Sequence, residues 1–266
     1  MNLNEKRLAV IGAGNIGKIL IERLRAVGVP ADHLVVCDSD PNRAHTLADK
    51  YGVRLVILID ETICEADAIL VAVSPKSVAD VIHTIADQLL PDCLVISFAA
   101  AVPLANIEAL LHPDIPVARI MPNAPSLIGL GMNPVVYGSS MTPEARELVE
   151  AILAALGETL VIHDEQMNWC VGLTGASMRS LMPALEGMTH SGIEAGFSEA
   201  DSRRMAAQVM LGTAALALKT DLTFEQIKAL TPMQMMDEEA VSRVFLDAAC
   251  GAQEKMAQFQ KKLIGT

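Results

Sequence analysis

The stretch RLAVIGAGNIG, residues 7–17, decides the fold of this 266-residue chain. Residues 8–11 form an apolar run typical of a strand that is buried on both faces. The run breaks into a G-x-G-x-x-G turn, after which apolar side chains recur at helical spacing as far as Val27. A second apolar run, residues 34–37, ends at Asp38. Strand, glycine turn, helix, strand and acid in this order predict a dinucleotide-binding βαβ unit.

Each glycine of the turn has a predicted task. Gly12 allows the tight turn, Gly14 lets a pyrophosphate approach the backbone, and Gly17 lets the helix pack closely on the strand. The N-terminus of the helix favours an anion, because its N–H groups are unpaired and its dipole end is positive. The predicted nucleotide-binding residues of this unit are Gly12, Gly14, Asn15, Ile16, Gly17, Asp38 and Ser39.

The acid at the end of the second strand bears on the choice between NADH and NADPH. Asp38 can accept hydrogen bonds from both ribose hydroxyls and would repel a 2′-phosphate. We therefore expect NAD(P)H as the cofactor, with NADH slightly preferred. Arg43 and Ser39 keep the alternative open, since together they could reach a phosphate.

The alternation of apolar strands and helices continues to about residue 163. Further strands are predicted at 53–57, 68–73, 93–97, 117–120, 134–137 and 159–162, and helices at 41–51, 76–90, 104–111 and 143–156. This order is typical of a parallel, doubly wound, Rossmann-type sheet that binds its ligand at the carboxyl ends of the strands. We predict a dinucleotide-binding domain over residues 1–163.

The strand pattern ends near Asp164, and helical periodicity takes its place. Helices are predicted at 166–195, 199–220, 223–230 and 238–263, which makes residues 164–266 an all-α domain. About 100 residues of such helices can hardly close a core alone. We expect this domain to carry a homodimer interface. The sequence does not decide whether several such dimers assemble into a ring.

The composition narrows the classes of partner. The formal charge of −12 and the lack of a basic cluster argue against nucleic acid and anionic membranes as partners, which leaves small molecules and protein surfaces. The five scattered cysteines favour neither a disulfide framework nor a metal site. No signal peptide or apolar run of membrane-spanning length is evident, so we expect a cytoplasmic protein.

Three segments identify a family resemblance: residues 73–75 (VSP), 94–102 (LVISFAAAV) and 119–125 (RIMPNAP). With them the chain resembles the pyrroline-5-carboxylate reductase family, whose members have a V-K-P loop, a V-I-S-x-x-A-G segment and an M-P-N-T-P loop. The resemblance implies that Val73 and Pro75 bind the cofactor and that Pro122 and Asn123 border the nicotinamide. It also implies an NAD(P)H-dependent reductase that transfers hydride to the C=N bond of a small, cyclic imine.

The helical half departs from the family pattern. Where the family has S-G-S-G-P-A-Y, the chain has TGASMRS at residues 174–180, and the family's S-P-G-G-T-T loop, which holds the substrate carboxylate, is TPMQMM at 231–236. A loop that lost both glycines and both threonines cannot bind an anion in the same way. The resemblance implies catalytic roles for Glu186, Asn123 and Thr174 and places Gln234 and Met235 at the substrate. Arg179 could replace the lost anion site by a bidentate contact with the carboxylate.

Two alternatives remain from the sequence alone. A dehydrogenase of small 3-hydroxy acids would share the general plan, but it uses a lysine on the first helix of the second domain, and residues 166–195 contain no lysine. A non-catalytic NAD(P)-binding regulatory protein would fit the methionine-filled loop. Turnover of a cyclic imine would discriminate between these classes.

Overall fold

The computed structural model describes residues 1–231 and 233–265. Its contacts divide the chain into two compact units. The first comprises Met1–Gly175 with the C-terminal stretch that starts at Ala252, and the second comprises Ala176–Gly251. The functional boundary that we place between residues 163 and 164 stays a prediction.

A single sheet forms the centre of the first unit. Among the described residues it has eight strands in the order β3-β2-β1-β4-β5-β6-β7-β8. Neighbouring strands pair in parallel, except that β7 runs antiparallel to β6. The strands are β1 (Leu8–Ile11), β2 (Leu34–Cys37), β3 (Arg54–Leu55), β4 (Ala68–Val71), β5 (Leu94–Ser97), β6 (Val117–Ile120), β7 (Gly131–Tyr137) and β8 (Gly157–Val161).

Helices cover both faces of this sheet. They are α1 (Asn15–Ala26), α2 (Pro41–Tyr51), α3 (Glu61–Cys64), α4 (Val78–Ala86), α5 (Leu104–Glu108), α6 (Pro143–Leu156) and α7 (Met167–Cys170). One apolar cluster joins the sheet to α1 and α6, and the other joins it to α4, α5 and α7. The doubly wound architecture predicted from the sequence is therefore confirmed.

The strand order reverses between β1 and β4, and this reversal positions the site. β1 pairs with β2 on one side and with β4 on the other, so the crossovers leave β1 in opposite directions. Such a switch point opens a crevice at the carboxyl ends of the strands. The turn from Gly12 to Gly17 lies at this crevice, directly after β1.

Several element bounds differ from the sequence prediction. β3 covers two residues instead of 53–57, and α4 begins at Val78 after a 3₁₀ turn at Pro75–Ser77. The sheet is parallel as predicted except at β7, which follows β6 after a connection too short for a parallel crossover and pairs with it antiparallel. The predicted helix 166–195 is interrupted by a π-helical turn, Val171–Ala176.

The second unit is helical. It contains α8 (Ser177–Glu194), α9 (Glu199–Lys219), α10 (Phe224–Ala229) and most of α11 (Glu238–Ile264). Gly192 lets α8 approach α9, because a Cβ there would lie 2.7 Å from Oγ of Ser202. Only Ser202 and Ala206 are buried on α9, and large apolar side chains such as Val209 and Leu211 stay exposed. In the part of the chain that is described, no helix combines the length and apolarity needed to span a membrane.

Candidate active site

A cleft of about 720 Å³ lies at the carboxyl ends of β1, β2 and β4. It brings together five of the residues that the sequence predicts to bind the cofactor, and these are Gly12, Gly14, Asp38, Ser39 and Val73. All of them belong to the first unit. The cleft therefore has the position expected of a dinucleotide site.

The three glycines of the turn meet different surroundings. Gly12 has φ +110°, and a Cβ there would lie 2.5 Å from the carbonyl oxygen of Ala72. A Cβ on Gly17 would lie 1.8 Å from the carbonyl oxygen of Gly12. Gly14, in contrast, has nothing within 4 Å of its ideal Cβ position. Gly12 and Gly17 are thus required by the fold, whereas the space at Gly14 is open to a ligand.

The first turn of α1 is not occupied by a side chain of its own. Gly14 is the N-cap residue and provides no side-chain cap, and the first turn of α1 contains no acidic side chain. The unpaired N–H groups and the positive end of the helix dipole therefore remain available. Such a helix end is suited to a pyrophosphate. Asn15 and Ile16 are the first two residues of this helix.

Asp38 is held in place at the rim of the cleft. Its Oδ2 accepts a hydrogen bond from the N–H of Ala13 at 2.6 Å, and its Oδ1 accepts from the N–H of Asp40 at 2.7 Å and from Arg43 Nη2 at 2.9 Å. Burial raises the pKa of Asp38, but these hydrogen bonds and the charge of Arg43 outweigh it, so that the pKa is lowered overall. The carboxylate is therefore ionised where a ribose would lie.

The far wall of the cleft was not predicted from the sequence. It is formed by Ile57, Leu58 and Ile59 on one side and by Asp80, Val81 and Thr84 of α4 on the other. Ile57 and Leu58 are 65% and 77% exposed, so they line an opening rather than a core. The apolar run that ends at Ile57 produced the overlong prediction of β3. A planar, apolar group such as a nucleobase fits between these walls.

A second part of the site follows β6. Pro122 is buried, and the side chain of Asn123 is fixed at both ends. Its Oδ1 accepts from the N–H of Met132 at 3.1 Å, and its Nδ2 donates to the carbonyl oxygen of Thr174 at 3.1 Å. The Thr174 hydroxyl donates to the carbonyl oxygen of Cys170 at 2.8 Å. The structure thus brings two predicted catalytic residues, Asn123 and Thr174, into contact.

Several other predicted residues are not among those that line the cleft. Pro75 begins the 3₁₀ turn after β4. Arg179, Glu186, Gln234 and Met235 belong to the second unit and are exposed there. Arg179 and Glu186 lie on α8, and Gln234 Nε2 donates to the carbonyl oxygen of Met236 at 3.4 Å. The roles of all these residues stay predictions, and Pro232 of the same loop lies outside the described residues.

Comparison with known proteins identifies the family. The chain is 30% identical to the pyrroline-5-carboxylate reductase of Pseudomonas aeruginosa over 221 residues, which cover 83% of this chain and 81% of the relative. The chain belongs to the pyrroline-5-carboxylate reductase family. It is also 32% identical to the pyrroline-5-carboxylate reductase of Escherichia coli strain K12 over 217 residues, 81% of each chain.

Two family models match parts of the chain, and a solved structure has a similar fold. The model for pyrroline-5-carboxylate reductase dimerisation matches residues 164–258, and that for NADP oxidoreductase, coenzyme F420-dependent, matches residues 7–101. The fold is similar to that of Plasmodium falciparum pyrroline carboxylate reductase with NADP bound, with a TM-score of 0.81, 19% identity and coverage of 98% of this chain and 99% of that chain.

One departure from the family pattern, at Ala101, has a structural consequence. The family's V-I-S-x-x-A-G segment ends in glycine, and the chain has Ala101 at this position. Ala101 is fully buried and has φ +62°, the only positive value at a non-glycine residue in the described part of the chain. The left-handed conformation costs an alanine about 1–2 kcal/mol. The chain thus holds a left-handed backbone here without the glycine that would favour it.

Proposed function

We propose that this protein is an NAD(P)H-dependent reductase that transfers hydride to the C=N bond of a small, cyclic imine. The observation that carries the proposal is the cleft at Gly14 and Asp38 in a chain of the pyrroline-5-carboxylate reductase family. Hydride from the reduced nicotinamide adds to the imine carbon, and the C=N electron pair passes to the protonated nitrogen, which becomes an amine. The chain's own task is to hold the imine carbon against the ring.

The residues around Asn123 are assigned to the nicotinamide end. Pro122 and Asn123 border the ring, and Thr174 supports them through its carbonyl oxygen. Glu186 meets the imine or amine nitrogen. Neither Asn123 nor Thr174 titrates near neutral pH, so their task is to orient the reactants and not to supply the proton.

Arg179 is assigned to the substrate carboxylate. No ion pair holds its guanidinium among the residues that the structure describes, and the side chain is exposed on α8. Free guanidinium groups bind carboxylates bidentately. The loop with Gln234 and Met235 would then contact the apolar part of the substrate, since Met235 is 79% exposed and offers a thioether instead of a hydroxyl.

Arg179→Met tests this assignment with two substrates. Loss of one bidentate, charge-assisted contact should lower kcat/KM for pyrroline-5-carboxylate about 30- to 1000-fold. The same variant should reduce pyrroline, which lacks the carboxylate, as well as the parent does. Equal turnover of the carboxylated imine by both proteins would refute the role of Arg179.

NADH is the proposed preferred cofactor. The Asp38 carboxylate would repel a 2′-phosphate, and Arg43 is already paired with Asp38 at 2.9 Å and with Asp40 at 3.3 Å. A phosphate would have to compete with both carboxylates for the guanidinium. Dissociation constants measured by titration of each reduced cofactor test the preference, and tenfold tighter binding of NADPH would overturn it.

The second unit supports a homodimer. Its helices leave large apolar side chains exposed, among them Phe197, Met205, Val209 and Leu211. Such a surface is typical of an interface rather than of a solvated helix bundle. Light scattering at micromolar concentration should give the mass of a dimer or of a multiple of it, and a folded monomer would contradict the proposal.

Turnover itself is tested with a panel of imines. The purified protein is incubated with NADH or NADPH and with pyrroline-5-carboxylate, its six-membered ring homologue and pyrroline, while reduced nicotinamide is followed by absorbance. Oxidation of the cofactor that depends on an imine supports the reductase. Tight nucleotide binding without turnover of any imine would instead support the non-catalytic alternative.

A further inference from the structure

The strand β6 leads into the loop of residues 121–125, called the nicotinamide loop here because the proposed function places Pro122 and Asn123 at that ring, and it carries a buried guanidinium. Arg119, the third residue of β6, has a side chain that is 1% exposed. Its Nη1 donates to Oδ1 of Asp164 at 2.6 Å, whereas Nε and Nη2 have no hydrogen-bond partner among the described residues. A buried ion pair of this kind is weak evidence for stability, since apolar residues of similar volume often replace it without loss. Its presence therefore requires a different reason.

Asp164 makes a second connection with its other oxygen. Oδ2 accepts a hydrogen bond from the N–H of Leu104, the first residue of α5, at 2.9 Å. One carboxylate thus joins β6, the start of α5 and the 3₁₀ turn Asp164–Gln166. Because α7 begins at Met167, directly after this turn, the position of the turn sets the position of the start of α7.

From each residue of this ion pair, the chain continues to one partner of the hydrogen bond between Asn123 and Thr174. On one side Arg119 is followed, four residues later, by Asn123. On the other side Asp164 is followed by α7 and by the π-helical turn that contains Thr174. The hydrogen bond from Asn123 Nδ2 to the carbonyl oxygen of Thr174 connects these two segments directly. Two long-range contacts thus hold the loop and the helical segment in one arrangement, and α7 is anchored between them because Met167 is fully buried.

We propose that Arg119 and Asp164 are positioning residues for hydride transfer, because their ion pair sets the place of the 164–176 segment against the Asn123 loop. This inference rests on the proposed function for the identity of the reacting ring. The distances between the reacting atoms depend on that loop, and a displacement of about 1 Å can lower the rate of a reaction about a hundredfold. The glycine turn, which holds the rest of the cofactor, lies at β1 and is independent of the pair.

The chain offers a built-in reporter and a matched control. Its single tryptophan, Trp169, lies on α7 and can transfer excitation energy to bound NADH. Asp67, at the amino end of β4, is built like Asp164, since its Oδ1 accepts from Lys6 at 3.0 Å and its Oδ2 from the N–H of Arg7 at 2.8 Å. Asp67 lies at the opposite end of the strands from the cleft.

The experiment compares Asp164→Asn, Arg119→Met and Asp67→Asn in the full-length protein. Asp164→Asn keeps an oxygen for the N–H of Leu104 but replaces the charged acceptor that faces Arg119 by an amide NH2 group, so the ion pair and its hydrogen bond are lost. We expect the two site variants to bind NADH within about threefold of the parent, to change the energy transfer from Trp169 at saturating NADH and to lower kcat about 10- to 100-fold with little change of KM. Asp67→Asn should lower the melting temperature alone.

The outcomes separate this inference from the proposed function. Altered energy transfer in Asp164→Asn supports positioning even if the parent reduces no imine. If Asp164→Asn retains both the parent's energy transfer and its kcat within twofold, as Asp67→Asn does, the pair is merely structural and the inference is wrong. Should Arg119→Met fail to fold, Arg119→Lys replaces it and the isosteric Asp164→Asn still decides.

Discussion

Replacement of Gly14 by alanine separates cofactor binding from folding. Gly14 has ordinary backbone angles, φ −74° and ψ −164°, and its ideal Cβ meets nothing within 4 Å. Alanine is a poorer N-cap than glycine by about 0.5–1 kcal/mol, and it stabilises the chain by about 0.4–1 kcal/mol through the unfolded state. The two effects nearly cancel. We therefore expect a melting temperature within about 2 °C of the parent value.

The same methyl group should weaken cofactor binding strongly. It would occupy the space in which a pyrophosphate approaches the N-terminus of α1. Loss of one or more charge-assisted hydrogen bonds to the backbone, at about 1.5–3 kcal/mol, corresponds to a roughly 10- to 150-fold higher dissociation constant for NADH. Titration calorimetry or nicotinamide fluorescence measures this constant directly.

Gly17→Ala is the matched control for Gly14→Ala. Its Cβ would overlap the carbonyl oxygen of Gly12 at 1.8 Å, so the contact of α1 with the turn must break. This variant should lose more than about 2 kcal/mol of unfolding free energy, in contrast to Gly14→Ala. If Gly14→Ala binds NADH within threefold of the parent, the open space is not the pyrophosphate site and the assignment of the cleft is wrong.

Three further predictions follow from named contacts. The lowered pKa of Asp38 means that its ionised form stabilises the folded chain at pH values above the pKa of the unfolded state. This contribution should decrease below about pH 5 and should be missing in Asp38→Asn. Urea unfolding at several pH values measures it. Burial raises the pKa of Cys93 to about 12, so alkylation followed by mass spectrometry should find this thiol unmodified at pH 8 until the protein unfolds. Asn123→Asp should lower kcat, because a carboxylate cannot donate to the carbonyl oxygen of Thr174; an unchanged kcat would contradict this.

The parts of the fold that are encoded locally could be predicted from the sequence. The first βαβ unit is an example, because each step from Leu8 to Asp38 is specified by neighbouring residues: a buried run, a glycine turn, a helical period and an acid. The helical half could also be predicted as helical. The interruption at Val171–Ala176 could not, since a π-helical turn leaves no periodic signal that differs from an ordinary helix.

Contacts between distant residues could not be read from the sequence. Arg119 lies in an apolar strand pattern, and nothing nearby indicates that its partner is Asp164 in a segment beyond two further strands. The left-handed conformation of Ala101 is likewise set by its buried surroundings, since alanine itself disfavours it. Ile57, which lines the cleft, was mistaken for the end of a strand, because periodicity does not distinguish the lining of a cleft from a core.

The nucleotide cleft and the 233–236 segment differ in what constrains their sequences. In the nucleotide half, Gly12 and Gly17 are surrounded by backbone, with ideal Cβ distances of 2.5 and 1.8 Å, so almost any replacement would disturb the sheet. In the 233–236 segment the side chains of Met233 and Met235 are 72% and 79% exposed, so folding of the single chain barely depends on them. Substitutions away from the family pattern in this segment should therefore change the free energy of unfolding of the single chain little. Met233 and Met235 are therefore available to contact a surface that the single chain lacks, and their role at the substrate stays a prediction.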